Sequence, residues 1–210
     1  MRRQMIDGPA GPLEARLKSA GKPDAPLAII LHPNPRFGGN MNTPTVYNLF
    51  NCFADTGAST CRFNFRGVGK SGGEFGSGEG EIADTLAVID WIRGLGDTEG
   101  KDLWICGFSY GAWIASRLIT RLDTTLSGTV LVAPPVGKYD FPEGRLPVRK
   151  GLVIHGEQDE LIPSGDVWEW ADGLETESGD PFLKEAVEGA DHFFREHQDA
   201  LTRIVTGFIQ

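Results

Sequence analysis

The sequence predicts one α/β domain, spanning residues 1–210, in which a mostly parallel β-sheet lies between helices. The first observation is that short apolar segments rich in β-branched residues alternate with segments of helical periodicity, which is typical of βαβ units. The second is that these apolar segments lack polar alternation, which indicates strands buried on both faces of the sheet. The third is size, since 210 residues match one domain and 40% hydrophobic residues can form its core.

The predicted strands are apolar runs bounded by Gly, Pro or Asp, at 27–32, 59–65, 102–107, 128–134 and 151–156. The helices between and after them are expected at 44–56, 81–93, 110–121 and 193–208. In the second of these helices, Ile82, Leu86 and Ile89 form one apolar stripe. Glycines and prolines interrupt the segment 5–19, which predicts a hairpin of short antiparallel strands at a sheet edge.

Charge content disfavours two classes of partner, and cysteine content indicates the cellular compartment. The 29 acidic and 20 basic residues give a net charge of -9, and this charge disfavours binding to nucleic acid or an anionic membrane. Three widely spaced cysteines, Cys52, Cys61 and Cys106, favour a reducing compartment and form no C-x-x-C pair. No signal-like or membrane-length apolar run is visible, so we expect a cytoplasmic protein. The sequence leaves open whether the chain forms a homodimer.

The motif G-x-S-x-G occurs twice, around Ser109 and around Ser71. Only Ser109 follows a predicted strand and opens a helical pattern, which is the setting in which this motif holds a nucleophile. Gly107 and Gly111 provide the space that such a sharp turn needs. The turn also places the Tyr110 N–H at a helix start, where it can face a developing oxyanion. Ser109 is therefore the predicted nucleophile, and Ser71 is interpreted as a structural loop residue.

A serine nucleophile needs a base within hydrogen-bonding distance, and the chain has four histidines. His192 lies on a glycine-led turn after the last short strand, from which its ring can reach the carboxyl edge of the sheet. His32 and His155 end apolar strands, and we expect both rings to be hydrogen-bonded there. His197 is expected on the exposed surface of the last helix. His192 is therefore the predicted base.

The base in turn needs an acid that orients it and stabilises its charged form. Asp159 directly follows the strand 151–156, at the sheet edge where chemistry gathers in open α/β sheets. It is the predicted acid. Glu157 and Glu160 are the alternative candidates for this acid. Both can also be interpreted as exposed loop carboxylates without a catalytic role.

The chain order Ser109, Asp159, His192 is that of α/β-hydrolases, and from about residue 25 onward the chain resembles that superfamily. More narrowly, LHPNPRFGGNMN (31–42) and RFNFRGVGKSGGEF (62–75) resemble a group of small, lidless bacterial serine hydrolases of largely unassigned substrate. This resemblance implies the α/β-hydrolase fold: a mostly parallel sheet with helices on both faces and an antiparallel N-terminal edge.

The resemblance also implies that the first strand-to-helix loop supplies a second oxyanion donor. That loop contains Pro33 and Pro35, which have no N–H, so we predict an oxyanion hole formed by the backbone amides of Asn34 and Tyr110. The amides of Arg36 and Phe37 are the alternatives in this loop.

Larger relatives carry a lid between the strands that here include Ala133 and Gly151, but only the segment 137–150 occupies this space. We therefore expect no lid domain and an open site. The candidates for its substrate-binding walls are the aromatic residues Phe37, Tyr110, Tyr139, Phe141 and Phe193.

The predicted function is hydrolysis of a small-molecule acyl substrate, a carboxylic ester, through an acyl-enzyme intermediate. Neither a metal nor an organic cofactor is required. Esters are favoured because an alkoxide leaves more readily than an amine. Two alternatives stay open: thioester or peptide hydrolysis by the same residues, and a non-catalytic scaffold that binds a small molecule or a partner.

Overall fold

The computed structural model describes residues 1–22, 24–95 and 102–210. Its strands in this part of the chain are β1 (Arg2–Gly8), β2 (Gly11–Lys18), β3 (Leu27–Leu31), β4 (Ser59–Phe63), β5 (Leu103–Phe108), β6 (Gly128–Val132), β7 (Gly144–Arg145), β8 (Gly151–Gly156), β9 (Leu174–Glu175) and β10 (Leu183–Val187). Its helices are α1 (Pro44–Asp55), α2 (Glu79–Arg93), α3 (Tyr110–Ile119), α4 (Ser164–Asp172) and α5 (Gln198–Ile209).

Eight of these strands form one sheet in the order β1-β2-β4-β3-β5-β6-β8-β10. Strands β1 and β2 pair as an antiparallel hairpin, and β2 is also antiparallel to β4. All pairings from β4 across to β10 are parallel. The predicted parallel sheet with an antiparallel N-terminal edge is therefore confirmed, and β5 lies near its middle.

The sheet separates two apolar clusters, one on each face. Along β3, Ile29 and Leu31 belong to one cluster while Ala28 and Ile30 belong to the other, as the two-residue period of a strand requires. Helices α2, α3 and α4 cover the first face, and α1 and α5 cover the second. The prediction of helices on both faces and of strands buried on both sides is thus confirmed.

The last helix departs from the prediction, because α5 begins at Gln198 and not at residue 193. Residues 192–197 form turns instead, in which the Phe194 N–H donates to the Asp191 carbonyl and the His197 N–H to the Phe194 carbonyl. Phe194 also has a φ of 54°, a value that a right-handed helix cannot contain. His197 accordingly precedes the helix and is half-buried, not exposed within it.

The segment 137–150 contains no helix, and its only strand is the two-residue β7. The expected absence of a lid at this place is confirmed. Helix α4, which the sequence reading did not identify, lies beyond β8 and packs Val167, Trp170 and Ala171 against the sheet. In the described residues, no helix combines the length and apolar character that crossing a membrane requires.

An ion pair fixes the loop after β4 to helix α2. The Asp84 side chain is fully buried and accepts hydrogen bonds from the backbone N–H, Nε and Nη2 of Arg66, at 2.9, 3.0 and 2.7 Å. The hydrogen bond that Arg66 donates to this carboxylate raises the pKa of Arg66. Because both charges are desolvated and matched, loss of one partner would leave the other unpaired.

We predict that Asp84→Ala lowers the free energy of unfolding by about 3 to 5 kcal/mol, because it leaves a largely buried guanidinium without its carboxylate. Urea unfolding followed by circular dichroism measures this loss. The control is Asp55→Ala, which removes an ion pair with Lys18 whose side chains are 42% and 70% exposed and should cost about 0 to 1 kcal/mol. Equal losses in both variants would contradict the anchoring role of Asp84.

Candidate active site

Ser109 occupies a strained turn between β5 and α3. Its φ of 53° and ψ of -119° are unfavourable for a residue with a side chain. The turn is held by its surroundings, since the Ser109 N–H donates to the Val132 carbonyl at 2.8 Å. A Cβ on Gly107 would overlap the Gly111 carbonyl group, and a Cβ on Gly111 would overlap the Leu31 carbonyl group. Both glycines are therefore required by close backbone contact and not only by turn geometry.

Three side chains from three different loops form a hydrogen-bonded line. The Nδ1 atom of His192 lies 2.6 Å from Oδ2 of Asp159, and its Nε2 atom lies 3.0 Å from Oγ of Ser109. A carboxylate only accepts hydrogen bonds, so Nδ1 carries the ring proton and Nε2 is free to accept from the serine hydroxyl. These loops follow β5, β8 and β10, so the structure brings the three predicted residues together at one edge of the sheet.

The carboxylate of Asp159 is held on both sides. Its side chain is fully buried, and its Oδ1 atom accepts the backbone N–H groups of Leu161 and Ile162 at 2.8 and 2.9 Å. Burial alone would raise the pKa of Asp159, but the hydrogen bond and charge of His192 and these two amides lower it below its usual value. The group is therefore ionised at neutral pH.

The two rival acids do not reach the imidazole ring of His192. Glu157 is exposed to solvent. Glu160 accepts a hydrogen bond from the backbone N–H of His192 at 3.3 Å, so it contacts the loop and not the ring. The acid in the hydrogen-bonded line is Asp159.

The loop after β3 places Asn34 beside Ser109 and Tyr110 on the wall of one cavity. The alternative donors are engaged elsewhere: the Arg36 amide donates to the side-chain oxygen of Asn34, and the Phe37 amide donates to its carbonyl. The amide of Tyr110 lies in the first turn of α3, where a helix leaves its N–H groups without intrahelical acceptors. This arrangement leaves Asn34 and Tyr110 as the candidate oxyanion donors.

His32 fixes the start of this loop. Its Nδ1 donates to the Pro33 carbonyl at 2.7 Å, and its Nε2 accepts the Phe65 N–H at 3.0 Å, so both nitrogens are bonded as expected. Burial lowers the pKa of His32 to about 4, which keeps the ring neutral. Because the N–H and C=O of a trans peptide point in opposite directions, fixing the Pro33 carbonyl also fixes the direction of the Asn34 N–H.

The other two histidines lie outside the line. His197 precedes α5, as described above. His155 is fully buried, but only its Nε2 has a hydrogen-bond partner, and its Nδ1 atom has none. The expectation that the His155 ring is satisfied is therefore wrong for one of its two nitrogens.

Ser109 opens into a cavity of about 270 Å³. The residues around it are Pro33, Asn34, Phe37, Gly38, Gly39, Thr43, Ser109, Tyr110, Pro135, Lys138, Tyr139, Leu161, Ile162, His192 and Phe193. Four of the five predicted aromatic wall residues are thus present. Leu161 and Ile162 also line the cavity but were not among the predicted wall residues, although they follow Asp159 in the same loop. The Nδ2 atom of Asn34 donates to the Tyr139 hydroxyl at 3.0 Å and joins two sides of this cavity.

Phe141 does not line this cavity, which corrects the prediction. Its ring packs against Trp170 of α4, with ring centroids 4.8 Å apart, because that helix offers a large apolar surface. Phe141 instead borders a neighbouring cavity of about 610 Å³ on the other side of Tyr139. In the described part of the chain, no cluster of three or more His, Cys, Asp or Glu side chains could hold a metal ion.

Comparisons with known proteins agree with this architecture. A family model described as X-Pro dipeptidyl-peptidase (S15 family) matches residues 13–189, a range that includes Ser109 and Asp159. Protein RP471 of Rickettsia prowazekii (strain Madrid E) is 35% identical over 208 residues, covering 97% of this chain and 87% of that protein.

Two solved structures extend the similarity. Protein ATU1826 of Agrobacterium tumefaciens, a protein of unknown function, is 36% identical with a TM-score of 0.87, covering 99% of this chain and 94% of that chain. XC6422 of Xanthomonas campestris, described as an α/β serine hydrolase without lid, is 31% identical with a TM-score of 0.87, covering 99% and 93%. The chain therefore belongs to the S15 family, described as X-Pro dipeptidyl-peptidase, and is a lidless α/β serine hydrolase.

Proposed function

We propose that this chain hydrolyses small carboxylic esters, with Ser109 as nucleophile, His192 as general base and acid, and Asp159 as the acid that orients the ring. The observation that carries this proposal is the unbroken line from Asp159 through His192 to Ser109, at 2.6 and 3.0 Å. A serine hydroxyl becomes nucleophilic when such a base accepts its proton.

The reaction runs in two halves. The Oγ atom of Ser109 attacks the ester carbonyl while Nε2 of His192 takes the hydroxyl proton, and the Asn34 and Tyr110 amides stabilise the oxyanion. The imidazolium then gives its proton to the departing alcohol, which leaves an acyl-enzyme. Water attacks this acyl group with His192 again as base, and release of the acid restores Ser109.

The shape of the cavity supports small acyl substrates. Its volume of about 270 Å³ holds a short acyl or aryl group but not a large one. Its rim is apolar, with the Phe37 and Leu161 side chains 88% and 43% exposed. Because the segment 137–150 forms no lid over the site, alcohol groups of different size can extend into solvent, so we expect broad tolerance on the leaving-group side.

Peptide hydrolysis is the second candidate, and the description of the matching family favours it. The same three residues would serve, because His192 can protonate an amine leaving group. An amine leaves less readily than an alcohol and requires tighter positioning of its nitrogen. The open cavity supports this requirement less well than it supports ester cleavage.

We predict that p-nitrophenyl acetate and butyrate are hydrolysed with a higher kcat/KM than dipeptidyl substrates of the form X-Pro-p-nitroanilide. Release of the coloured leaving group measures both reactions with the same enzyme preparation. Ser109→Ala should lower kcat for the esters by about 10⁴- to 10⁶-fold. Ser71→Ala is the matched control, because Ser71 belongs to the second G-x-S-x-G match but donates to the Asn64 carbonyl at 2.7 Å.

A faster reaction with the X-Pro anilides would replace the ester proposal with the peptidase alternative. If neither the parent protein nor Ser109→Ala hydrolyses any of these substrates faster than buffer alone, the chain is a binding scaffold and not a hydrolase.

We predict that Asp159→Asn lowers kcat for p-nitrophenyl butyrate by about 10⁴-fold, because an amide at this position no longer holds the proton on Nδ1 of His192. Circular dichroism should show an intact fold, and steady-state kinetics gives kcat. Glu157→Gln is the control, since that exposed carboxylate contacts neither His192 nor Ser109. Near-normal activity of Asp159→Asn would move the orienting role to a different acid.

A further inference from the structure

A second histidine lies on the far side of the Asp159 carboxylate. His155 is the fifth residue of the six-residue strand β8, and its side chain is fully buried. Its Nε2 atom is 3.1 Å from the Ile162 carbonyl oxygen and 3.6 Å from Oδ2 of Asp159. This is the same carboxylate oxygen that receives Nδ1 of His192. Asp159 is thus flanked by two imidazole rings.

The surroundings of His155 determine where its proton lies. The Ile162 carbonyl can only accept a hydrogen bond, so Nε2 must carry the proton. The buried Nδ1 atom has no partner, and a proton there would be an unsatisfied donor. Burial lowers the pKa of His155, although the Asp159 charge and the hydrogen bond to the Ile162 carbonyl oppose this. The ring is therefore neutral, with its single N–H directed at the carbonyl and the carboxylate.

We propose that His155 is a positioning residue for the reaction, whose neutral Nε2–H orients the Asp159 carboxylate and reduces the negative potential that this carboxylate exerts on His192. This inference rests on the proposed function of the Ser109, His192 and Asp159 line. At 3.6 Å the Nε2 atom is too far for a full hydrogen bond to Oδ2, so its effect on that oxygen is electrostatic. The role explains why a histidine with one unpaired nitrogen occupies this apolar position.

His155 also connects the acid to the substrate cavity. Its N–H holds the Ile162 carbonyl, while Oδ1 of Asp159 holds the Ile162 amide at 2.9 Å. Ile162 and its neighbour Leu161 are cavity-lining residues. One short loop therefore carries both the carboxylate and part of the substrate wall, and His155 fixes it from beneath.

Among the described residues, the charged groups near these two rings include Lys138, which lines the substrate cavity together with His192. Two titratable groups face His155: Asp159 in the loop after β8 and His192 in the loop after β10. Besides Asp159, His192 has the Glu160 carboxylate at its backbone amide. Its neighbour Asp191 is paired with Arg195 at 2.8 Å. A substitution at His155 leaves all these groups in the chain, so a change in the pH profile reports the loss of the Nε2–H.

The test compares His155→Met, which removes the donor, with His155→Gln, which can place an amide N–H near the position of Nε2. The measurement is kcat/KM for p-nitrophenyl butyrate between pH 4 and 9. Without the donor, the negative potential of Asp159 acts more strongly on His192. The acid limb of the profile, in which kcat/KM falls as the pH is lowered, should therefore move to higher pH. We expect a shift of about half a pH unit for His155→Met and a return towards the parent profile for His155→Gln.

The control is His197→Gln, which removes a histidine that precedes α5 and contacts neither Asp159 nor Ser109 and should leave the acid limb unchanged. An unchanged acid limb in a folded His155→Met protein overturns the proposal. If that variant does not fold, nitrogen-15 NMR of the parent protein decides instead. A His155 ring that stays neutral, with its proton on Nε2, over the pH range of the acid limb supports the proposal. A proton on Nδ1, or titration of the ring in this range, overturns it.

This experiment separates the inference from the proposed function. Activity that is lost in Ser109→Ala, together with an acid limb that His155→Met does not move, overturns only the role of His155. Activity that survives Ser109→Ala overturns the proposed function, and the inference about His155 falls with it.

Discussion

The close approach of three backbone segments beneath Ser109 is the constraint on which the site depends. Strand β5, helix α3 and the end of β3 meet where Gly107 faces Gly111 and Gly111 faces the Leu31 carbonyl. Any side chain at either glycine would push α3 away from the sheet. The same contact holds Ser109 at a φ of 53°, a conformation that costs about 1 to 3 kcal/mol and persists because the surrounding structure imposes it. The packing of the sheet centre thus supplies the strain that presents the hydroxyl.

The remaining parts of the site are arranged around this fixed point by hydrogen bonds between loops. His32 holds the Pro33 carbonyl, and Asn34 reaches across the cavity to the Tyr139 hydroxyl. In the loop after β8, the Asp159 carboxylate accepts hydrogen bonds from the backbone amides of Leu161 and Ile162. Each loop is anchored to a buried strand of the parallel sheet, so side chains far apart in sequence keep distances near 3 Å.

The sequence was most informative where local chemistry and strand order agree. The apolar runs predicted the parallel strands because a strand that is buried on both faces is apolar at every position, which makes it easy to recognise. Ser109, Asp159 and His192 could be chosen because each follows such a run, and parallel strands end at one sheet edge. Helix α5 was placed too early because Phe193 and Phe194 extend the apolar pattern, although Phe194 adopts a positive φ. Phe141 was misplaced because side-chain direction depends on Trp170, whose helix was not identified. The contact of His155 with Asp159 could not be read from spacing at all, since it depends on how the loop folds back over β8.

The short connection between β6 and β8 affects how ligands enter and leave the site. Enzymes with hinged covers often spend their slowest step opening and closing, and that motion also keeps bulk solvent away from reactive intermediates. Here the segment 137–150 forms no such cover, so ligand entry and exit require no hinge. Water can therefore reach the cavity around Ser109 without the movement of a cover, as hydrolysis of an acyl group requires. Access to Ser109 is therefore set by the walls of its cavity and not by the timing of a moving part in this segment.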